Sequence, residues 1–527
     1  MDRNAHGKAA ESTATWLYAL TVTLSAAGGL VVEIVAGRLI APYVGMSLYT
    51  WTAIIAVVLA GFSVGHWIGG LLAGPQINQR RGEERVGWAL LASALTTLGA
   101  APLLRGLAGP ILGAADDAVT VILLMTMAVF FLPSLFVGIV SPILTKLAVD
   151  VAPDRAGSAI GRMYALGALG SIAGTLLAGY VFIALVGSIG TLLSVAALYG
   201  ALAAIFFLRA RRQGIFGLGV ILIAALGATG GATGGSPSGA FQTVCQSEST
   251  TFCIRWADAQ QITDRPSRLL ALDHLVHGIN DETDPGWIDS PYVQFVDAYL
   301  RQLIPAPEPV SAFFVGGGAY TLPRALAATR PGSELIVAEI DEAVTQAAVD
   351  HLWLAAQRPA LDIRHLDGRW ALQQEKASPR FDLIFGDAFH DIAVPAHLVT
   401  REFHQAVRAR LKPGGFYALN VVDSSERPSF MLSLARTLLQ DFAEVQIWRS
   451  KTELGAKGRV TYVVIAGESL DNRLFLESPR PPERVWLRLK PEALERRIKE
   501  AGALILTDDF APVDRLLRHL ILEAHIP

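Results

Sequence analysis

An apolar run ending at Val315 is followed by Gly316, Gly317 and Gly318, and 23 residues after Gly316 a second apolar run closes on Glu339-Ile340-Asp341. Two further runs end in Asp367-Gly368 and in Asp387. Glycines at such a place let the chain turn tightly and let a ligand approach the backbone. A carboxylate ending the second run accepts hydrogen bonds from both hydroxyls of a ribose. Asp367 can accept from the exocyclic amine of adenine, which leaves Asp387 nearest the reacting end. Singly, each has a structural alternative: a strand-to-helix turn for the glycines, helix caps for Glu339, Asp341 and Asp387, a turn for Asp367. Four successive loops ending this way point together to a nucleoside-binding enzyme.

The elements that must position these residues are apolar strands alternating with polar-apolar helices: Ala312–Val315, Glu334–Ala338, Leu361–Leu366, Phe381–Phe385 and Gly415–Val421. That order predicts a parallel, doubly wound sheet with its ligand beyond the carboxyl ends of the strands. The expected fold is therefore an α/β Rossmann-like domain over 286–527. Shorter alternating runs, Phe241–Val244, Phe252–Trp256, Leu269–Asp273 and Leu275–Ile279, predict a small antiparallel β-sheet over 240–285, followed by a helix from Tyr292 to Leu303.

The first half is different in kind. A mean hydropathy of +0.41 with 17% charged residues over 527 is too apolar for a soluble chain. Between Glu11 and Arg80 only Glu33 and Arg38 carry formal charge. The pattern predicts a polytopic α-helical membrane domain over 1–230, with about seven helices near 14–36, 50–74, 87–108, 118–147, 159–184, 189–208 and 214–229, and a flexible linker at 231–239. The first run continues to Ile40 without a cleavage site, so it reads as a membrane helix and not a secretory signal. Basic clusters at Arg80-Arg81-Arg85, Lys146 with Arg155 and Arg162, and Arg209-Arg211-Arg212 share one side by parity, the cytoplasmic face of the cell's inner membrane. Seven spans put the C-terminal domain outside. The short, glycine-rich 214–229 run could instead be re-entrant or interfacial, which reverses that result, so the side stays open. Cys245 and Cys253 either form a disulfide between paired strands, which suits an oxidising compartment, or are two reduced thiols. Glu33 either binds a cation such as a polyamine, with His66 near, or is packing glue while Arg38 snorkels to the interface.

Over 240–466 the motifs resemble the spermidine synthase family of aminopropyltransferases, and the whole chain is similar to its membrane-fused members. The residues that carry the resemblance are Leu272-Asp273, Tyr292, the glycine triplet, Glu339-Ile340-Asp341, Asp367-Gly368 and Asp387-Ala388-Phe389, with Glu33–Tyr43 and Ser47–Trp51 in the first half. The resemblance implies decarboxylated S-adenosylmethionine as donor, a polyamine acceptor, release of methylthioadenosine, and a homodimer. Asp387 would take the amine proton, Tyr292 would orient the acceptor and Asp391 would give a second cation contact.

Departures bear on the substrate. The family's aspartate after the glycines, a contact to the donor's ammonium, is replaced by Ala319-Tyr320. Its glutamine after Leu-Asp-Gly is His277, and the acidic residue two after Tyr292 is Gln294. In the tail, Asp508 and Asp509 either fold back onto a cationic substrate or cap the last helix. Two other classes remain: a methyltransferase using S-adenosylmethionine itself, suggested by Leu411-Lys412-Pro413-Gly414-Gly415, and a transporter or sensor that binds a nucleoside or polyamine without turnover. No metal is expected, since the two cysteines and 11 histidines show no ligand spacing. A net charge of -3 without a basic-aromatic patch argues against nucleic acid.

Overall fold

A computed structural model describes residues 3–114, 118–151, 153–210, 243–389 and 393–522. The 214–229 run, the 231–239 linker and Asp391 lie outside the described residues. The chain divides into two units, the first reaching Val244 and the second beginning at Cys245.

The first unit is helical: α1 (Arg3–Val44), α2 (Leu48–Leu72), α3 (Gln79–Ala114), α4 (Ala118–Val151), α5 (Ala156–Leu177) and α6 (Ile183–Arg209). Among the described residues five stretches are long and apolar enough to cross a membrane, the last running from Pro153 to Arg209. That stretch contains both α5 and α6 and breaks at Gly187, whose φ of +67° is closed to most side chains. Small residues let α1 and α5 approach closely: a Cβ added at Gly170 would lie 2.2 Å from the Thr23 carbonyl oxygen. One buried polar knot joins three helices, with Glu83 of α3 accepting from Tyr18 of α1 at 2.7 Å and from Arg209 of α6 at 2.8 Å. Glu33 and Arg38 are both half-buried on α1. Glu33 shares a helix face with Gly29 and Gly37, which abut Phe62 and Trp51 of α2, whereas His66 sits on an exposed face of α2.

The second unit opens with a four-stranded antiparallel sheet: β1 (Ser247–Glu248), β2 (Cys253–Asp258), β3 (Ser267–Leu272) and β4 (Leu275–Asp281). A disulfide joins Cys245 to Cys253, so the bonded alternative is the one realised. After the helix Pro291–Leu303 come β5 (Ser311–Val315), β6 (Glu334–Ala338), β7 (Leu361–Arg364), β8 (Phe381–Gly386) and β9 (Leu411–Ser424), all parallel, in the order β9-β8-β5-β6-β7. Every residue of β5 is buried, as a central strand covered on both faces requires. Beyond β9 the sheet continues with β10 (Glu444–Ser450), β11 (Arg459–Gly467), β12 (Phe475–Glu477) and β13 (Val485–Arg488), all antiparallel, making nine strands in the order β12-β13-β10-β11-β9-β8-β5-β6-β7. The order reverses between β5 and β8, and the cleft beyond their carboxyl ends is where open α/β sheets hold ligands.

Candidate active site

The glycine turn leaves β5 at this reversal. Gly316 has φ of +101°, and a Cβ there would lie 2.6 Å from the Asp387 carbonyl oxygen, so the ends of β5 and β8 touch through bare backbone. Glu339, at the end of β6, holds the turn: its Oε2 accepts from the Gly317 and Gly318 amides at 2.9 and 3.1 Å, and its Oε1 from the Asp341 amide at 3.0 Å. Burial pushes the Glu339 carboxyl up, and these three amides oppose that shift. A carboxylate has about four acceptor sites, two on each oxygen, so with Oε2 taking two amides and Oε1 one, a site on Oε1 is left for a ribose hydroxyl.

Asp341 caps the helix Glu342–His351, accepting from the Ala343 amide at 3.0 Å, and also takes the Ser249 hydroxyl from the small sheet. Asp367 caps the helix Gly368–Gln374 through Oδ1, at 3.0 Å from the Arg369 amide, while its Oδ2 meets His397 Nε2 at 2.7 Å. That imidazole, with the capping amides, holds the Asp367 carboxyl below its ordinary range. Gly368 is required by packing, since a Cβ would stand 2.4 Å from Val315 Cγ1.

Asp387 follows β8. Its Oδ1 accepts from Asn420 Nδ2 at 2.8 Å and its Oδ2 from the Tyr292 hydroxyl at 3.2 Å. Burial raises its carboxyl to about 7, against these two donors. Burial, then the Asp387 charge, holds the Tyr292 phenol well above its usual range, so it acts as a neutral donor. Asn420 was not singled out from sequence. Its signal is a lone amide in the apolar run Phe416–Val422 of a strand next to β8.

The structure brings Tyr292, Asn420, Gly316 and Asp387 together. His277 of β4 flanks the turn, its Cβ 3.7 Å from a Cβ built on Gly318, and burial pushes its imidazole down to about 4. Gln294 lies elsewhere: its amide donates to the Arg480 and Pro482 carbonyls and accepts from Arg484, all within 3.1 Å. Asp508 is bound by both oxygens to Arg369 at 2.6 Å, and Asp509 is exposed in the Thr507–Phe510 turn. A cavity of about 500 Å³ lined by Ser247, Trp256, Glu342 and His351 contains none of the Asp387 group. Among the described residues no cluster of three His, Cys, Asp or Glu could hold a metal ion.

No protein-family model matches the chain. It is 26% identical over 238 residues to a polyamine aminopropyltransferase of Vibrio vulnificus, covering 43% of this chain and 76% of that protein. It is 25% identical over 279 residues to a probable polyamine aminopropyl transferase of Bifidobacterium longum, covering 50% of this chain and 60% of the relative. Among solved structures, a probable spermidine synthase from Corynebacterium glutamicum superposes with a TM-score of 0.41 at 18% identity, covering 50% of this chain and 95% of that one. With the parallel sheet and its carboxyl-edge residues, the curated relatives support a spermidine synthase-like character for this chain, which is similar in sequence to polyamine aminopropyltransferases.

Proposed function

We propose that this chain is a multi-pass protein of the cell membrane whose second unit is a transferase, moving the aminopropyl group of an adenosyl sulfonium to an amine. The observation that carries this reading is the Asp387 carboxyl, raised to about 7 and held between Tyr292 and Asn420 beside the Gly316 turn. The nucleoside lies along the carboxyl edge, its ribose on Glu339 and its adenine amine on Asp367, with the glycine turn against the sulfonium side. A primary amine is mostly protonated at neutral pH. Ionised Asp387 binds the ammonium and takes one proton, and the freed lone pair attacks the carbon next to sulfur. The new C–N bond forms as the C–S bond breaks, sulfur keeps the bonding pair, and methylthioadenosine leaves. Tyr292 and Asn420 fix the carboxylate in line with the reacting carbon.

The test is mass-spectrometric detection of methylthioadenosine from the full-length protein given decarboxylated S-adenosylmethionine, with and without putrescine, beside Asp387→Asn. Amine-dependent release that is lost in the variant is expected. Donor binding without release from any amine would sink the transferase reading and leave a sensor or transporter. A methylated product from S-adenosylmethionine would make the chain a methyltransferase.

A further inference from the structure

Two residues beyond the glycine triplet, Tyr320 stands in the left-handed region, with φ of +57° and ψ of +26°. A bulky side chain rarely adopts that backbone, which persists only where its surroundings over-determine it. Asn280 of β4 clamps both neighbours, donating to the Ala319 carbonyl at 2.8 Å and accepting from the Thr321 hydroxyl at 2.9 Å. The Tyr320 amide itself donates to the Gly317 carbonyl at 2.7 Å. The ring so placed is fully buried, and a Cβ added at Gly317 would lie 2.6 Å from its Cζ, so it lies directly against the middle of the turn.

The hydroxyl reaches beyond the turn. It is 2.6 Å from the Thr345 hydroxyl on the helix Glu342–His351, and Thr345 Oγ1 is in turn 3.1 Å from His365 Nε2. His365 follows β7 and stands two residues before Asp367. One hydrogen-bonded path therefore joins the segments that follow β5, β6 and β7, which carry the glycine turn, Glu339 with Asp341, and Asp367. Burial and the Glu339 charge push the phenol up, so it keeps its proton and stays neutral. Packing alone would be served by Phe. The hydroxyl adds a tie that sets the spacing of the three segments, and with it the span from ribose to adenine amine.

We propose that Tyr320 is a positioning residue for the donor's nucleoside, acting through Gly317 against its ring and through Thr345 and His365 beyond its hydroxyl. This rests on the transfer reading for where the nucleoside lies, along the carboxyl edge from Glu339 to Asp367. Tyr320 itself touches neither substrate. It holds the turn and the two carboxylates in the relative places an adenosyl group needs, so the ordering is complete before the ligand arrives.

The experiment titrates methylthioadenosine calorimetrically into the full-length protein as wild type, Tyr320→Phe, Thr345→Val, the double variant and Thr345→Ser, with melting curves on the same samples. Tyr320→Phe keeps the ring and removes only the hydroxyl, and should raise the nucleoside Kd about fivefold, the scale of one neutral hydrogen bond. Thr345→Val should raise it at least as much, and the double variant should be no worse than Thr345→Val alone. Thr345→Ser keeps the hydroxyl and should bind like wild type. In turnover with decarboxylated S-adenosylmethionine and putrescine, the amine KM of Tyr320→Phe should stay at the wild-type value. A hydroxyl that serves only stability would lower Tm and leave the Kd unmoved, which overturns the inference, as would additive losses in the double variant or an amine KM raised by the same factor as the Kd. Binding of methylthioadenosine without turnover removes the transfer reading and leaves this inference to the titration. A wild type that binds no methylthioadenosine overturns both.

Discussion

Replacing Asn420 by Leu tests whether Asp387 is the proton acceptor, because it changes the carboxyl's affinity for its proton without touching the carboxyl. Asn420 donates to Oδ1 at 2.8 Å, and this bond is the largest influence opposing burial. A hydrogen bond to a charged group contributes about 1.5–3 kcal/mol, which is roughly one to two pH units. The base must be ionised to work, so kcat/KM rises as pH passes upward through the carboxyl's titration near 7. Removing the donor disfavours the ionised form, and the acidic limb moves to higher pH by about a unit or more. Tyr292→Phe removes a longer bond, 3.2 Å, and should move it less. The assay is methylthioadenosine release at low substrate across pH, with the alkaline plateau as internal control. A limb that stays in place while the plateau falls would show that Asn420 acts on substrate geometry and that Asp387 is not the titrating base.

Asp387→Asn should abolish transfer while raising thermal stability in alkaline buffer. The folded carboxyl titrates at about 7 against an ordinary 3.8, so the folded state binds more protons and wild-type stability falls as pH rises between those values. Water reaches the group, so the gain at pH 8 is on the order of 2 kcal/mol, vanishing below both values; a Tm difference independent of pH would contradict it. Gly316→Ala puts a Cβ 2.6 Å from the Asp387 carbonyl oxygen at a φ of +101°, and donor affinity measured by calorimetry should fall at least about tenfold. Asp508→Asn breaks a half-exposed ion pair with Arg369, and should lower stability by no more than about 1 kcal/mol. The KM for the amine should not change, whereas a raised KM would return the tail to the site.

The parallel half of the sheet was legible because β5 to β9 contain apolar runs separated by helix-like segments, and the first four of them end in a residue that could do chemistry. The antiparallel extension was not, since β12 and β13 are three and four residues long and lie in a stretch rich in proline and arginine. β13 exists through pairing with β10, and β12 through pairing with β13, and neither through any local pattern. Tyr292 and Asp387, 95 residues apart, were each named from local motifs, but only the fold puts them 3.2 Å apart. Gln294 follows Tyr292 by two, which on a helix turns its side chain away, toward the segment 480–484. His277 carries no alternation signal of its own, and its place beside Gly318 depends on how the β3–β4 hairpin packs against the turn.

A turn was the structural alternative to ligand binding for Asp367; the structure makes it a helix cap, and the geometry lets one carboxylate both cap and bind. A parallel strand that turns into a helix delivers its last residue to the carboxyl edge with free helix amides behind it, which is where a cap belongs and where the ligand lies. Oδ1 of Asp367 serves the cap at 3.0 Å, and Oδ2 points to His397, itself exposed. Asp367→Asn separates the roles. Asn is as good a helix cap as Asp, so stability should change by less than about 1 kcal/mol. Its amide presents one oxygen, which the cap consumes, leaving an NH2 toward the adenine amine. Donor and donor would then face each other, and donor-substrate affinity should fall by roughly tenfold or more, the cost of an unsatisfied polar contact. Titration of the adenosyl sulfonium against wild type and variant, with melting curves on the same samples, reads both quantities. Equal affinity with an unchanged Tm would remove Asp367 from the nucleoside site, and a lowered Tm with unchanged affinity would leave it a cap alone.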